Sequence, residues 1–465
     1  MSSDKSSYIP KRSTYTVLSA MGYFLDGYDL SVISVFTFTL VLFKFFKYNT
    51  FLLSFVSGSA LLGAMVGAVL FGHYADRLGR RYLYIFDLLF FVVFAVLSAI
   101  ATNMLQMIFF RFFVGWGVGA DYALSPVYAS EMYPTKARGK GYGWVWAFWS
   151  IGALASFLIG YAIYLYYPLL AWRWALGLGA IPALITIFLR FRMPESSRWK
   201  VIEKGSEAVD EAKKLSVQTG LTENEIQALL DERKKQEKVA AGSLAALFKG
   251  EYGKRTAVVW GQWILYDIGA YGFGLYSPLI VSLLGVKGAL SLLLSAVWYV
   301  FGFLGAYGAA QLNDVLGRRT LQLIGFSGMM VAMLFLIFTA LDKFLLPLGV
   351  LGFIMWYGLG NLGPGNTMGL YAIELFPTKL RSSSMGLATA ITRFVSFVSA
   401  FEFPYLTLMF GKLGFFEVLF VVMLMATVFT VFFTPETKGL TLEQIASYKY
   451  RIIHGKPKLV PPEQQ

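Results

Sequence analysis

The chain has 465 residues, of which 57% are hydrophobic and only 14% charged, far more apolar than a soluble protein of ordinary composition. It carries 40 Lys and Arg against 27 Asp and Glu, a net charge of +13, with no cysteine and only two histidines, His73 and His454. Disulfides, thiol catalysis and cysteine-based metal sites are thereby excluded, and so is a buried histidine relay.

Apolar runs of about 20 residues can cross a bilayer, and twelve such runs follow one another. Six are expected at 15–42, 50–72, 82–101, 104–129, 141–163 and 170–190, and six more at 256–284, 289–312, 320–341, 344–371, 383–409 and 411–433. The first run follows a short polar segment, Met1 to Thr14, and contains Asp26 and Asp29. It lacks the clean apolar centre of a cleaved signal and reads as a retained helix. The stretch from Pro194 to Arg255 is polar, with helix-period segments such as Asn224 to Ala240, and is expected to form cytoplasmic surface helices.

The sequence thus predicts an all-α membrane protein of twelve transmembrane helices in two six-helix halves. The expected divisions are a first bundle over 1–193, a linker over 194–255, a second bundle over 256–433 and a cytoplasmic tail over 434–465. If both termini are cytoplasmic, the short inner segments hold 18 Lys and Arg against 6 on the outside, the bias that sets orientation in a cell membrane. The basic excess therefore follows from topology, and no nucleic-acid partner is expected.

The halves repeat directly. Gly72-His-Tyr-Ala-Asp76-Arg-Leu-Gly79-Arg80-Arg81 recurs 238 residues later as Ala310-Gln-Leu-Asn-Asp314-Val-Leu-Gly317-Arg318-Arg319. Glu131-Met-Tyr-Pro134-Thr-Lys-Ala-Arg138 recurs after 243 residues as Glu374-Leu-Phe-Pro377-Thr-Lys-Leu-Arg381. Gly79 permits a tight turn, and Asp76 and Asp314 can each receive an arginine or a helix N-terminus. With Arg80, Arg318, Glu131, Glu374, Arg138 and Arg381 they are expected to form an inner gate of salt bridges.

Ionisable side chains inside a span cost on the order of 3 kcal/mol each and mark functional sites by default. Six sit well inside: Asp26, Asp29, Arg111, Asp121, Asp267 and Arg393. Counted from the inner helix ends, Asp26, Asp121, Asp267 and Arg393 all lie about 15 Å deep at 1.5 Å per residue, the middle of a core roughly 30 Å thick. Asp26 and Asp29 share a helix face, and Trp263, Asp267 and Tyr271 form a stripe at i, i+4, i+8. Four acids against two arginines leave this layer at minus two if all ionise, so at least one acid is expected to be protonated. Asp121 is expected to pair with Arg111 or Arg393, while Asp87 and Glu402 lie nearer span ends, where solvated acids are common. No phosphate-cradling loop with a Walker lysine occurs, which disfavours an ATP-driven pump; the glycines at 115, 117 and 119 are spaced by two and do not line one helical stripe. No nucleophile–base pair, metal site or cofactor site is found, and no enzyme is expected.

The duplicated Gly-x3-Asp-Arg-x-Gly-Arg-Arg loop resembles the signature of the major facilitator superfamily. Pro194-Glu-Ser-Ser-Arg198-Trp and Pro435-Glu-Thr-Lys-Gly439, after the sixth and twelfth spans, are similar to its sugar-porter-like branch. Phe24-Leu-Asp26-Gly-Tyr-Asp29-Leu, Arg111 to Ser125 and Trp263-x3-Asp267-x3-Tyr271 look most like the phosphate:proton symporter family. That resemblance implies a substrate pocket of Tyr122, Trp263, Asp267 and Tyr271, with a proton path through Asp26 and Asp29. A family glutamine falls on Trp149, a family lysine on Arg393, and the family's pocket asparagine is offset by one residue, with Asn366 beside Gly365.

The combined expectation is a monomeric secondary transporter that moves a small anion with protons by alternating access. Substrate contacts are assigned to Tyr122, Trp263, Asp267, Tyr271, Asn366 and Arg393, and proton coupling to Asp26, Asp29, Asp121 and Asp267. Phosphate or a phosphate-like oxyanion is the first choice of substrate, an organic acid the second and a sugar the third. A non-transporting membrane sensor is the competing class, against which the acids of spans one and seven argue.

Overall fold

The computed structural model describes residues 12–131, 137–191, 193–219, 221–236, 244–283 and 288–462. The start of the polar N-terminal segment, Pro134 with its neighbours, Ala240 at the end of the expected surface helix, and Lys287 lie outside the described residues.

Among the described residues, eleven helices are long and apolar enough to cross a membrane. Six precede the linker, the first being Arg12–Phe43, the second Thr50–Leu78, the third Arg80–Ala99, the fourth Met104–Glu131, the fifth Arg138–Tyr166 and the sixth Ala171–Arg190. The others are Ala289–Leu316, Arg318–Leu341, Leu346–Glu374, Thr378–Gly411 and Leu413–Phe433, which are spans eight to twelve. Span seven is Gly250–Gly274, continued by Ser277–Leu283. It opens with Glu251, Lys254 and Arg255 and carries Gln262 and Asp267, so length and apolarity alone do not single it out. Span ten breaks into Leu346–Leu362 and Pro364–Glu374 around Gly363.

The turns between spans two and three and between spans eight and nine are built alike. Gly79 and Gly317 have φ of 95° and 92°, a region open to glycine and costly for other residues. Beyond each, a carboxylate caps the new helix: Glu195 accepts the N–H groups of Arg80 and Arg81 at 3.1 and 3.0 Å, and Glu436 accepts those of Arg318 and Arg319 at 3.0 and 3.1 Å. Orphan N–H groups and the positive end of the helix dipole favour this arrangement.

Within the first half, spans two and four approach to backbone contact. A Cβ on Gly115 would lie 1.9 Å from the carbonyl oxygen of Ala60, and one on Gly119 2.0 Å from that of Ala64. The middle glycine, Gly117, turns instead toward span three and the carbonyl of Asp87, so the three serve two faces. The halves meet through span two against span eleven and span five against span eight. Here too side chains are minimal. A Cβ on Gly72 would stand 3.0 Å from the Cα of Gly386, and one on Gly143 2.4 Å from the Cα of Ala310.

After the sixth span come Ser197–Lys204, Val209–Thr219 and Glu223–Gln236, which bury Val201, Ile202, Leu221, Ile226 and Leu229 in a core of their own. The tail departs from an all-helical expectation. After Leu442–Ser447 it forms an antiparallel hairpin of β1, Lys449–Ile453, and β2, Lys456–Val460. His454 and Gly455, with φ of 49° and 71°, make the two-residue turn whose twist matches the strands.

Candidate functional site

A cavity lies between the halves, lined by Ser31 of span one, Trp146 and Trp149 of span five, and Trp263, Tyr266, Asp267 and Tyr271 of span seven. Tyr299, Tyr357, Asn361 and Arg393 complete its walls. The i, i+4, i+8 stripe on span seven thus faces one space. Arg393 is buried, its guanidinium carbon 4.5 Å from the ring centre of Tyr122 and 4.7 Å from that of Tyr271, within reach of a cation–π attraction on both sides. Its Nη1 is 3.9 Å from Asp267 Oδ2, and its Nε and Nη1 have no hydrogen-bond acceptor among the described residues. Asp267 accepts from Ser396 Oγ at 3.0 Å. The cavity therefore offers a guanidinium with open donors, a carboxyl group and several ring hydroxyls.

Asn366 does not line this cavity. Its Oδ1 accepts from Asn313 at 2.6 Å, on the far side of the break at Gly363. Asn361, on the other limb of span ten, lines the cavity instead, taking the indole N–H of Trp146 at 2.9 Å. Trp149, the position of the family glutamine, does face the cavity.

The other acids of span one separate into two environments. Asp29 is paired with Arg111, Nη1 to Oδ1 at 2.6 Å, and Arg111 Nη2 also donates to the Asp29 carbonyl at 2.8 Å. Asp121 pairs with neither Arg111 nor Arg393. Its partner is Arg190, at 2.9 Å, and Arg190 also stands 3.5 Å from Asp87. Both Arg190 and Asp87 are fully buried, so the expectation of a solvated Asp87 fails, and Arg190, at the end of span six, is an ionic residue that the sequence reading did not single out. Span six ends at the face that carries the linker, and side chains tilt toward a helix's N-terminus; Arg190 therefore reaches back into the bundle. Among the described residues Asp26 is buried with an unpartnered Oδ2 and no ion pair. The layer holds five acids and three arginines, which leaves its formal charge where the shorter inventory put it.

The eight predicted gate residues come together as two matching clusters at the inner ends of the spans. Glu131 takes Arg80 of its own half at 3.4 Å and Arg381 of the other at 2.9 Å; Glu374 takes Arg318 at 3.0 Å and Arg138 across the interface at 2.8 Å. Asp76 accepts the N–H groups of Ser382 and Ser383 at the start of span eleven, and Asp314 those of Gly139 and Lys140 at the start of span five. Ser196 donates to Glu131, and Thr437 to Glu374. Both clusters cross the interface, so the face that carries the linker and tail is closed. On the opposite side Ser34 Oγ bonds the carbonyl of Leu275 at 2.8 Å, and Phe51 and Phe55 meet Phe401 and Phe397 edge to face at 5.7 Å.

Two six-helix halves around a buried polar cavity, with ion pairs that lock one face across their interface, define a secondary transporter of the major facilitator fold. Residues 15–448 match the sugar (and other) transporter family, and the chain belongs to it. It is 30% identical over 437 residues to the glucose transporter GlcP of Staphylococcus epidermidis, covering 92% of this chain and 95% of that one. It is 29% identical over 501 residues to the inorganic phosphate transporter 1-4 of Arabidopsis thaliana, with 93% and 92% covered. Among solved structures, the proton:xylose symporter XylE bound to 6-bromo-6-deoxy-D-glucose superposes with a TM-score of 0.84 at 23% identity, over 94% of this chain and 98% of that one. The protein is thus a multi-span membrane transporter and not an enzyme.

Proposed function

We propose that the chain imports a small anion together with protons by alternating access, with both termini and residues 194–255 on the cytoplasmic side. The observation that carries the reading is Arg393, a buried guanidinium on the cavity wall with donors left open and one carboxyl partner at 3.9 Å. With an anion present, Arg393 supplies the positive charge and Asp267 the proton. Two negative charges at about 4 Å repel by about 4 kcal/mol at an effective dielectric of 20, so an anion binds beside Asp267 only once that carboxyl is protonated. It then donates a hydrogen bond instead of repelling, and a bidentate guanidinium contact suits an oxyanion. Size favours a small ligand. The small polar cavity suits a phosphate or a short carboxylate, and the phosphate transporter relative accords with it. Asp26 is the favoured proton carrier in the first half, since Arg111 already compensates Asp29.

A sugar is the second reading. The glucose-transporter relative supports it, and Arg393 and Asp267 neutralise each other when the ligand is uncharged. Counterflow in proteoliposomes with labelled phosphate, short carboxylates and hexoses tests both. Asp267→Asn is expected to keep binding and lose its pH dependence, and Arg393→Ala to lose anion binding at every pH. Normal binding by Arg393→Ala would reject the anion reading in favour of the sugar. Orientation is checked by a cysteine at Ser206, which should resist an impermeant reagent in right-side-out vesicles.

A further inference from the structure

Arg190 is the most heavily engaged side chain of the first half. Its Nη2 lies 2.9 Å from Asp121 Oδ2 and 3.3 Å from Oδ1; its Nη1 donates to the Tyr84 carbonyl at 2.8 Å and stands 3.5 Å from Asp87; its guanidinium carbon is 3.5 Å from the centre of the Tyr84 ring. Span one presses directly on this group. A Cβ on Gly22 would come within 2.3 Å of both Asp121 carboxylate oxygens and 2.4 Å of Arg190 Nη2, and Asp26 is one turn further along the same face. Asp26 has Asp121 and Asp87 as neighbouring negative charges and Arg190 and Arg393 as neighbouring positive ones. Three buried carboxyls therefore face one guanidinium of their own half. Arg190 reaches two of them, and the Oδ2 atoms of Asp26 and Asp87 have no hydrogen-bond partner among the described residues.

We propose that Asp26, Asp87 and Asp121 form one proton-holding cluster in which Arg190 is the positioning residue, engaging Asp121 and Asp87 and leaving the exchangeable proton to Asp26. The inference rests on the proton-coupled reading and assigns its N-half machinery. The other groups facing the cluster are uncharged at neutral pH: Ser19 and Tyr23 on span one, Tyr84 on span three, Tyr122 and Ser125 on span four, and Tyr142 on span five. Ser125 hydrogen-bonds both Asp121 and Tyr84. Arg393, paired with Asp267, is the one cation that approaches from the second half. A carboxylate trio with one cation in a dry interior cannot remain fully ionised. Release of the proton from Asp26 thus leaves a charge that substrate binding at Arg393 or opening to water must relieve.

The test counts protons without using substrate. Infrared difference spectra of the full chain in lipid nanodiscs, between pH 8 and pH 5, read protonated carboxyl groups through their C=O stretch. The expected wild-type band is lost in Asp26→Asn. In Arg190→Gln one further carboxyl is protonated at pH 7, its band removed by adding Asp121→Asn or Asp87→Asn, while Arg190→Lys returns the wild-type spectrum. An Arg190→Gln spectrum identical to the wild type overturns the proposal. Should Arg190→Gln fail to fold, Arg190→Gln/Asp121→Asn, which removes cation and anion together, must retain the Asp26 band; a spectrum without it overturns the proposal equally. A cluster that binds protons in a protein whose uptake ignores the pH gradient would instead sink the coupled reading and leave the cluster standing.

Discussion

The two halves share one ancestry of sequence yet differ most at a single depth. Applying the motif offsets, Asp87 of the first half corresponds to Gly325 of the second, Asp121 to Pro364, and Arg190, through the prolines at 194 and 435, to Val431. A three-membered ionic group on one side is an apolar contact on the other, where a Cβ on Gly325 would lie 2.2 Å from Pro364 Cδ. Nearby, the second half buries a neutral pair: Gln322 donates to Gln262 at 2.7 Å, with Thr434 bonded to the same oxygen. At the face that carries the linker, by contrast, the carboxylate–arginine pairs of the two halves match. Closure demands the same lock from both sides, whereas coupling does not. On the proposed reading, the buried carboxyl cluster belongs to the first half, whereas the second half sets a single carboxyl, Asp267, beside the guanidinium of Arg393.

The largest expected effect tests the matched region. Glu131→Gln leaves Arg381 without its buried carboxylate and Glu374→Gln does the same to Arg138, while Arg80 keeps Asp76 at 3.3 Å and Arg318 keeps Asp314 at 3.0 Å. Removing one member of a buried pair costs about 3–5 kcal/mol, so both variants should show equal, large losses of thermal stability in detergent and new cysteine accessibility from the inner side. Unequal losses would break the symmetry drawn here.

A smaller effect probes where the inner face stops being symmetric. Arg198, from the linker, pairs with Glu443 of the tail at 3.2 Å and with Glu225 at 3.7 Å. Burial pushes the Glu443 carboxyl up, but Arg198 outweighs it and holds the group below its ordinary range. A depressed carboxyl contributes stability above its unfolded value and loses it as pH falls through the folded one. Glu443→Gln should cost about 2 kcal/mol at pH 7, and its melting curve should converge with the wild type in acid. A difference that persists unchanged in acid would remove the ionic explanation.

The smallest effect belongs to the neutral pair. Gln322→Ala should cost about 1 kcal/mol, with no change between pH 5 and 8, because no titrating group is involved. A pH-dependent cost would mean that the second half also handles protons at this depth.

Much of this was legible in the residues. Duplicated loops announce the paired gate, and Asp267 and Arg393 stand out because charge inside an apolar run is costly. Arg190 escaped because position along a helix gives the depth of a backbone atom, not the reach of a long side chain that tilts back toward the helix start. Asp87 escaped for the complementary reason: near a span end it resembles a solvated acid until a partner from another helix is placed. The cavity asparagine was misassigned because counting from Glu374 carries no register across the break at Gly363. The tail hairpin, ten residues paired on a His-Gly turn, has too short an apolar signal to separate from a polar tail.

Where spans two and eleven and spans five and eight cross, backbones come close at Gly386 beside the carbonyl of Ala68 and at Gly143 beside Ala310. Around these contacts the surfaces are smooth, the interlocking side chains such as Phe397 beside Gly58 lying toward the other end, so on the alternating-access reading proposed above the halves can roll over each other there as on a pair of plain bearings. Friction along the rocking coordinate is then low, and the barrier to opening inward resides in the ion pairs beyond the crossings. Timing and strength are thereby separated: the glycines set how freely the machine turns, and the carboxylates set when it is released.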